Sequence, residues 1–307
     1  MGNVLTTDLL TKKYKKHFAV NGVSMNIDRG DIYGFVGENG SGKTTVIRLI
    51  TGLIYPYSGS FKLFGVDNRS KNIGKARSRV GAIVESPSIY MNMSAYDNLK
   101  MQCALLGVKN KNKILDVLND VGLGHLYGEK KHASDFSLGM RQRLGIAMAL
   151  LGDPELLILD EPMNGLDPAG IVEIRELILK LNHERNITFL ISSHILTELS
   201  LVATKYGIIS KGKIIKEITA EQLHNECTKT TLICADDIEQ LYKVVTEVLP
   251  QNKIEITEKG IKIIGDINYN FVLSAIINAG IQILNVQYSE TSFEEYYLKV
   301  IGGANND

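Results

Sequence analysis

From the N-terminus to about residue 218, short apolar runs alternate with stretches whose apolar residues recur at helical spacing. Ile32 to Val36 is a strand-like run that ends in a glycine-rich turn. Leu156 to Leu159 is wholly apolar, the pattern of a strand buried on both faces, and Thr188 to Ile191 is a third such run. Between the first two, from about Ser94 to Gly152, the periodicity turns helical, with Leu144, Ala147, Met148 and Leu151 on one face and Gly152-Asp153-Pro154 as a stop. Strands alternating with helices predict an α/β domain with a largely parallel sheet over residues 1–218, carrying a helical subdomain at about 94–152. Its chemistry is expected at the strand ends, where the motifs fall.

After Tyr206, the run Gly-Ile-Ile-Ser-Lys-Gly-Lys-Ile-Ile reads as a hairpin turning at Lys211-Gly212, followed by a helix from Ala220 to Glu226 that closes the first domain. Residues 225–307 then read as a strand (Thr230 to Cys234), a helix (Ile238 to Val248), two strands around Lys259-Gly260, a helix (Asn270 to Asn278), a strand (Ile281 to Val286) and a final helix. That βαββαβ order predicts a small α+β accessory domain of ferredoxin-like type.

Composition narrows the picture. With 307 residues, 44% of them hydrophobic, the chain can bury a real core. Lys+Arg 34 against Asp+Glu 34 leaves no long-range field to gather nucleic acid or anionic membrane, which argues against a mainly electrostatic DNA or RNA binder and leaves such partners only a local site. Cys103, Cys227 and Cys234 are odd in number and lack zinc spacing, which points to reduced thiols. No apolar run approaches the roughly 18 residues of a membrane span. Met1 to Thr6 lacks the basic and apolar regions of a signal peptide, and its fit to the short N-myristoylation pattern is of the kind that recurs by chance.

Gly37-Glu38-Asn39-Gly40-Ser41-Gly42-Lys43-Thr44 fits G-x-x-x-x-G-K-[ST] between a predicted strand and a helix through Val46, Ile47, Leu49 and Ile50. Glycines let the backbone wrap phosphate oxygens, and the helix start, through Thr45, offers N–H groups and partial positive charge. Lys43 reaches the terminal phosphates and the Thr44 hydroxyl can ligate Mg²⁺. This much says nucleoside triphosphate and leaves kinases, GTPases and motor ATPases open. Leu156 to Leu159 then delivers Asp160 to the Mg²⁺ shell and, next to it, Glu161, where a carboxylate can orient an attacking water.

Phe136-Ser137-Leu138-Gly139-Met140-Arg141-Gln142-Arg143 resembles the LSGGQ signature of the ATP-binding-cassette (ABC) ATPases. It keeps Ser137 and Gly139 and departs at Phe136, Leu138 and Met140; the resemblance runs over roughly residues 4 to 218. It implies that Ser137 and Gly139 face ATP held by a second ATPase subunit, read as a second copy of this chain, so that two ATPs are sandwiched head to tail. Tyr14 resembles the family's adenine-stacking aromatic. Asn164-Gly165-Leu166-Asp167 resembles the loop through which Asp167 touches the opposite subunit. His194, after Ser192-Ser193, resembles the switch histidine at the γ-phosphate; His17, His125, His132, His183 and His224 have no such placement and read as surface residues.

Aligning Ile83 to Pro87 puts Glu85 where most of the family carries a Mg²⁺-ligating glutamine. With the Phe-Ser-Leu-Gly-Met signature and the stretch Met91 to Leu99, this is similar to the ATPases of bacitracin-resistance and lantibiotic-immunity exporters. The resemblance implies an ATP-hydrolysing subunit, using ATP and Mg²⁺, that sits peripherally at the cytoplasmic face of the membrane. It would drive separate transmembrane permease subunits through the surface around Glu85 and Ser94 to Leu99, with no nucleic-acid partner. The alternative is a soluble ABC ATPase remodelling a ribosome or nucleic-acid complex; a single compact cassette without a basic patch argues against it. For residues 225–307 the readings are regulation, dimerisation, docking to the permease, or mere padding of the fold.

Overall fold

The computed structural model describes residues 2–110, 112–227 and 229–304; Met1, in the stretch read as lacking signal-peptide regions, and Asn305 to Asp307, at the end of the expected accessory domain, lie outside them. The chain forms two compact units that part between Ala220 and Glu221. The first begins with a long hairpin, β1 (Asn3–Tyr14) and β2 (His17–Asp28), then β3 (Ile32–Val36) and α1 (Lys43–Thr51). Next come β4 (Ser58–Leu63), β5 (Val66–Asp67), α2 (Ile73–Arg77) and β6 (Val80–Ile83). The helices α3 (Ala95–Leu106), α4 (Asn112–Asp120) and α5 (Leu138–Leu150) precede β7 (Leu156–Asp160), α6 (Pro168–Arg185), β8 (Thr188–Ser193) and α7 (Leu196–Ser200). The hairpin β9 (Lys205–Ser210) and β10 (Lys213–Thr219) leads into α8 (Ala220–Glu226).

The central sheet runs β10-β9-β3-β8-β7-β6 and is parallel except for β10. Every residue of β3 and β7 is buried, which is why both read as unbroken apolar runs. A second sheet, β2-β1-β4-β5, is antiparallel and was not part of the sequence reading. The reason lies in β1: its register on β2 shifts at four places, and Leu9 adopts φ 46 with its side chain in solvent. Those irregularities erase the period-two alternation by which a half-buried strand is recognised. Leu5, Val23 and Ile27 of this sheet pack in one core with Val46, Ile47 and Ile50 of α1 and with Phe35 and Ile158 of the central sheet. Helix α1 is thereby gripped by both.

The stretch Ser94 to Leu99, expected as exposed docking surface, is largely interior. Ser94, Ala95, Asn98 and Leu99 are buried. The Ser94 hydroxyl caps α3, accepting from the Asp97 N–H at 3.1 Å. Asn98 accepts from the Tyr90 N–H at 2.8 Å and donates to the Ser94 carbonyl at 2.9 Å. The segment is polar because it braces a turn, and Met91, Asp97 and Lys100 supply the surface there. No helix among the described residues is long and apolar enough to cross a membrane.

The second unit takes in α8 from Glu221 onward and then β11 (Lys229–Ala235), α9 (Ile238–Val248), β12 (Lys253–Thr257), β13 (Gly260–Ile264), α10 (Tyr269–Asn278), β14 (Ile283–Glu290) and α11 (Phe293–Ala304). Its sheet, β12-β13-β11-β14, is antiparallel throughout and places β13 between β11 and β12, the split βαβ arrangement of ferredoxin-like domains. Ile233, Ile261 and Ile263 pack with Leu241, Val245, Val272 and Ile276 in a core of its own.

At the edge of the central sheet opposite the motif-bearing strand ends, Glu155 accepts from Arg79 at 2.5 Å and pairs with Arg29 at 2.7 Å, joining the starts of β3, β6 and β7. The Arg79 hydrogen bond, helped by Arg29, holds the Glu155 carboxyl at about 2 rather than its usual 4.5. A depressed folded-state value stabilises fully above the unfolded value and is lost as pH falls through the folded one. Urea titrations of wild type and Glu155→Gln are therefore expected to differ most at neutral pH, with the gap closing as pH falls from 4.5 toward 2.

Candidate functional site

The Gly37–Thr44 loop leaves β3 and enters α1 at Gly42, whose φ of 111 is closed to ordinary side chains. A Cβ there would lie 2.6 Å from the Ala19 carbonyl oxygen of β2, and one on Gly37 would lie 2.4 Å from the Ile209 carbonyl oxygen of β9. Both glycines are therefore dictated by close backbone approach. No side chain caps the first turn of α1, so its N–H groups face outward at the positive end of the helix dipole. Glu38, Asn39 and Gly40 form the exposed arch of the loop, while Ser41, beneath them, is buried. Thr44 and Thr45 follow in the first turn of α1, half-buried.

Lys43 is only 5% exposed, with Nζ donating to the Gly37 carbonyl at 2.6 Å and lying 3.3 Å from Glu161 Oε1. Glu161 Oε2 in turn is 2.7 Å from His194 Nδ1 and accepts from the His194 backbone N–H at 3.3 Å. Three residues that the sequence reading drew from three separate motifs thus form one contiguous group.

Beside it Asp160, 2% exposed, sits opposite Ser192 in the β7–β8 register and accepts from the Ser192 hydroxyl at 2.5 Å. The Glu161 N–H donates to Ser192 Oγ at 3.0 Å and to the Ser192 carbonyl at 3.1 Å, holding Glu161 in the left-handed region at φ 52. Ser192 therefore organises both carboxylates. Sequence reasoning passed over it; the signal was a polar pair, Ser192-Ser193, ending an apolar strand.

Other expected site residues, beyond the phosphate loop, make no hydrogen bond or ion pair with this group among the described residues. Glu85 takes φ 64 and receives Arg48 of α1 at 2.6 Å. No hydrogen bond or ion pair among the described residues joins it to Lys43, Thr44 or Asp160. Ser137 caps α5, accepting from the Met140 N–H at 3.2 Å, with Gly139 in the turn it starts. Asp167 caps α6, accepting from the Gly170 N–H at 3.1 Å, with Pro168 preorganising the first turn. Tyr14 ends β1 with its ring exposed, and Lys12 Nζ lies 5.2 Å from the ring centroid. Tyr14, Ser137 and Asp167 make no hydrogen bond to the Lys43–Glu161–His194 group among the described residues. His17, His125, His132, His183 and His224 are all exposed.

A glycine-rich loop entering a helix, a buried lysine, and an Asp-Glu pair at the end of a parallel strand define a P-loop nucleoside triphosphatase. A family profile described as ABC transporter matches residues 20–164. The bacitracin transport ATP-binding protein BcrA of Bacillus licheniformis is 43% identical over 305 residues, 99% of each chain. The lantibiotic transport ATP-binding protein SrtF of Streptococcus pyogenes is 47% identical over 208 residues, 68% of this chain and 87% of that one. Among solved structures, CbiO1 of Clostridium perfringens, part of the ABC transporter complex CbiONQ, superposes with a TM-score of 0.66 at 27% identity, covering 82% of this chain and 97% of that one. The chain belongs to the ABC transporter ATP-binding proteins. It is the ATP-binding, ATP-hydrolysing subunit of such a transporter.

Replacing Ser192 by Ala removes a hydroxyl that satisfies a buried carboxylate and a backbone N–H together. The expected loss is roughly 1–3 kcal/mol in chemical denaturation. Ser192→Thr, which keeps the hydroxyl on a strand-favouring side chain, is expected to recover most of it.

Proposed function

We propose that this chain energises export of a peptide antibiotic of the bacitracin or lantibiotic kind, peripheral at the cytoplasmic face of a membrane and docked on separate transmembrane permease subunits. Similarity to the bacitracin transport protein along 99% of the chain supports the substrate class, because it extends through the second unit as well as the cassette. A cleft of about 980 Å³ in the first unit, bounded by Val84, Ser86 and Pro87 and by Leu106, Gly145 and Met148, supports docking of a permease segment. Its walls include β6 and the segment after it together with residues of helices α3, α4 and α5, so a bound segment would sense the loop that carries Glu85.

The observation that carries the catalytic reading is the contact chain Lys43–Glu161–His194, with 3.3 Å and 2.7 Å between partners. Glu161 acts as the base that orients and deprotonates the attacking water, and His194 holds that carboxylate and reaches the γ-phosphate. Lys43 exchanges its loop carbonyl for phosphate oxygens, and the Gly37–Thr45 backbone cradles them; both stabilise the charge that spreads in the transition state. Asp160 and Thr44 suit a hard divalent cation. Asp160 meets Ser192 through Oδ1, while its Oδ2 has no hydrogen bond among the described residues. Mg²⁺ bound there would neutralise charge on the β- and γ-phosphates. Glu85, paired with Arg48 at 2.6 Å, would join that ligand set by exchanging its exposed guanidinium partner for the cation.

Ser137 and Asp167 start exposed helix ends and make no hydrogen bond to Lys43 among the described residues, which supports a head-to-tail pair of copies in which Ser137 and Gly139 cap the partner's nucleotide and Asp167 lies across the interface. Tyr14 stacks the adenine.

Glu161→Gln keeps the shape and removes the base. It is expected to bind ATP with wild-type affinity while single-turnover hydrolysis falls by about 10²- to 10⁴-fold; near wild-type hydrolysis would take the role from Glu161. The substrate class is checked by whether deletion in the native host sensitises it to bacitracin or a lantibiotic. Unchanged tolerance to both would remove that part of the reading.

A further inference from the structure

Tyr14 carries an exposed ring at the tip of a hairpin, where a free side chain would lose rotamer entropy on stacking against a base. Its surroundings limit that freedom. Lys12 lies two residues earlier, on the same face of β1, and sets Nζ 5.2 Å from the Tyr14 ring centroid. The same ammonium donates to the Tyr55 carbonyl at 2.7 Å, so the cation over the ring is itself anchored to a different part of the chain.

A second bracket reinforces the first. Lys13 Nζ lies 4.7 Å from the Phe18 centroid and 5.8 Å from that of Tyr57, and Phe18 and Tyr57 meet edge to face at 6.4 Å. Tyr55-Pro56-Tyr57, the segment after α1, thus holds both lysines against the hairpin. The hairpin is tied to the phosphate loop as well: Ala19 abuts Gly42, and the register pairs Lys12 with Val20, Lys13 with Phe18 and Tyr14 with His17.

We propose that Lys12 is a positioning residue for the nucleotide base, covering one face of Tyr14 and holding the ring so that its other face is presented for stacking. The inference rests on the reading of Tyr14 as the adenine-stacking side chain. A cation over an exposed aromatic ring corresponds to roughly a two- to fivefold effect on an equilibrium constant. Aromatic stacking tolerates any base, so the effect should be alike for ATP and GTP. Lys12 makes no contact with the Lys43–Glu161–His194 group among the described residues, so it should act on affinity rather than on the chemical step.

The test measures ATP and GTP dissociation constants by titration calorimetry on the full chain carrying Glu161→Gln, alone and with Lys12→Met, Lys12→Arg, Tyr14→Ala or Lys12→Met with Tyr14→Ala. Steady-state ATPase kinetics are run on Lys12→Met and Lys12→Arg with Glu161 intact. Lys12→Met is expected to weaken both nucleotides by roughly two- to fivefold, to raise KM with little change in kcat, to be rescued by Lys12→Arg, and to add nothing once Tyr14 is Ala. If Tyr14→Ala weakens binding and Lys12→Met does not, the Lys12 inference falls while the stacking reading stands. If Tyr14→Ala leaves both constants unchanged, the stacking reading falls and takes the inference with it. A Lys12→Met loss that persists undiminished in the Tyr14→Ala background would mean that Lys12 acts on the nucleotide directly, which also overturns the proposal.

Discussion

The register of β7 on β8 is the constraint on which the site depends, because it sets Asp160 opposite Ser192 at the carboxyl ends of two buried strands. A single hydroxyl then satisfies the carboxylate of Asp160 and the backbone of Glu161. Glu161 is left in a left-handed conformation that costs an L-residue about 1–2 kcal/mol. The bonds from its N–H to Ser192, and those of its carboxylate to His194 and Lys43, hold it there. A slip of one residue in this pairing would turn Asp160 to the opposite face of the sheet and dismantle the group.

The same economy governs the phosphate loop. Gly37 and Gly42 lie against carbonyl oxygens of β9 and β2, so the central sheet on one side and the antiparallel sheet on the other mould the loop. Since α1 packs into a core shared by both sheets, the loop rests on rigid elements, which preserves catalytic geometry better than a free loop would. Lys43 shows the electrostatic side of this arrangement. A nearly buried ammonium needs partners, and it finds them in a loop carbonyl and in Glu161. Phosphate oxygens offer the same complement of acceptors with more charge, which makes the exchange favourable.

The second unit owes nothing to this chemistry for its own cohesion. Helices α9 and α10 cover one face of its sheet with a closed apolar core, and β13 is inserted between β11 and β12 in the way the βαββαβ order implies. It adds a domain that folds by ordinary alternation: Thr231, Ile233 and Ala235 are buried, while Thr230, Leu232 and Cys234 lie on the other face and are only partly covered.

Much of the molecule was legible from local pattern. The phosphate loop is one continuous segment whose glycines, lysine and threonine carry their own geometry, and β3 and β7 announced themselves as apolar runs because they are buried on both faces. The antiparallel sheet was not legible, since the bulges of β1 blur its alternation, and Ser94 to Leu99 looked like surface although its polar groups cap and brace a turn. The sequence by itself determined which chemical groups are present and which short segments hold them, because spacing along the chain decides what a single turn or strand can do. Only the tertiary structure decided that Lys43, Glu161 and His194 meet, that Ser192 serves both carboxylates, that Glu85 answers to Arg48, and that Lys12 stands over Tyr14 on a carbonyl from another loop. Each of those contacts depends on strand register and on backbone angles fixed by packing between distant segments, and neither quantity is written in local spacing.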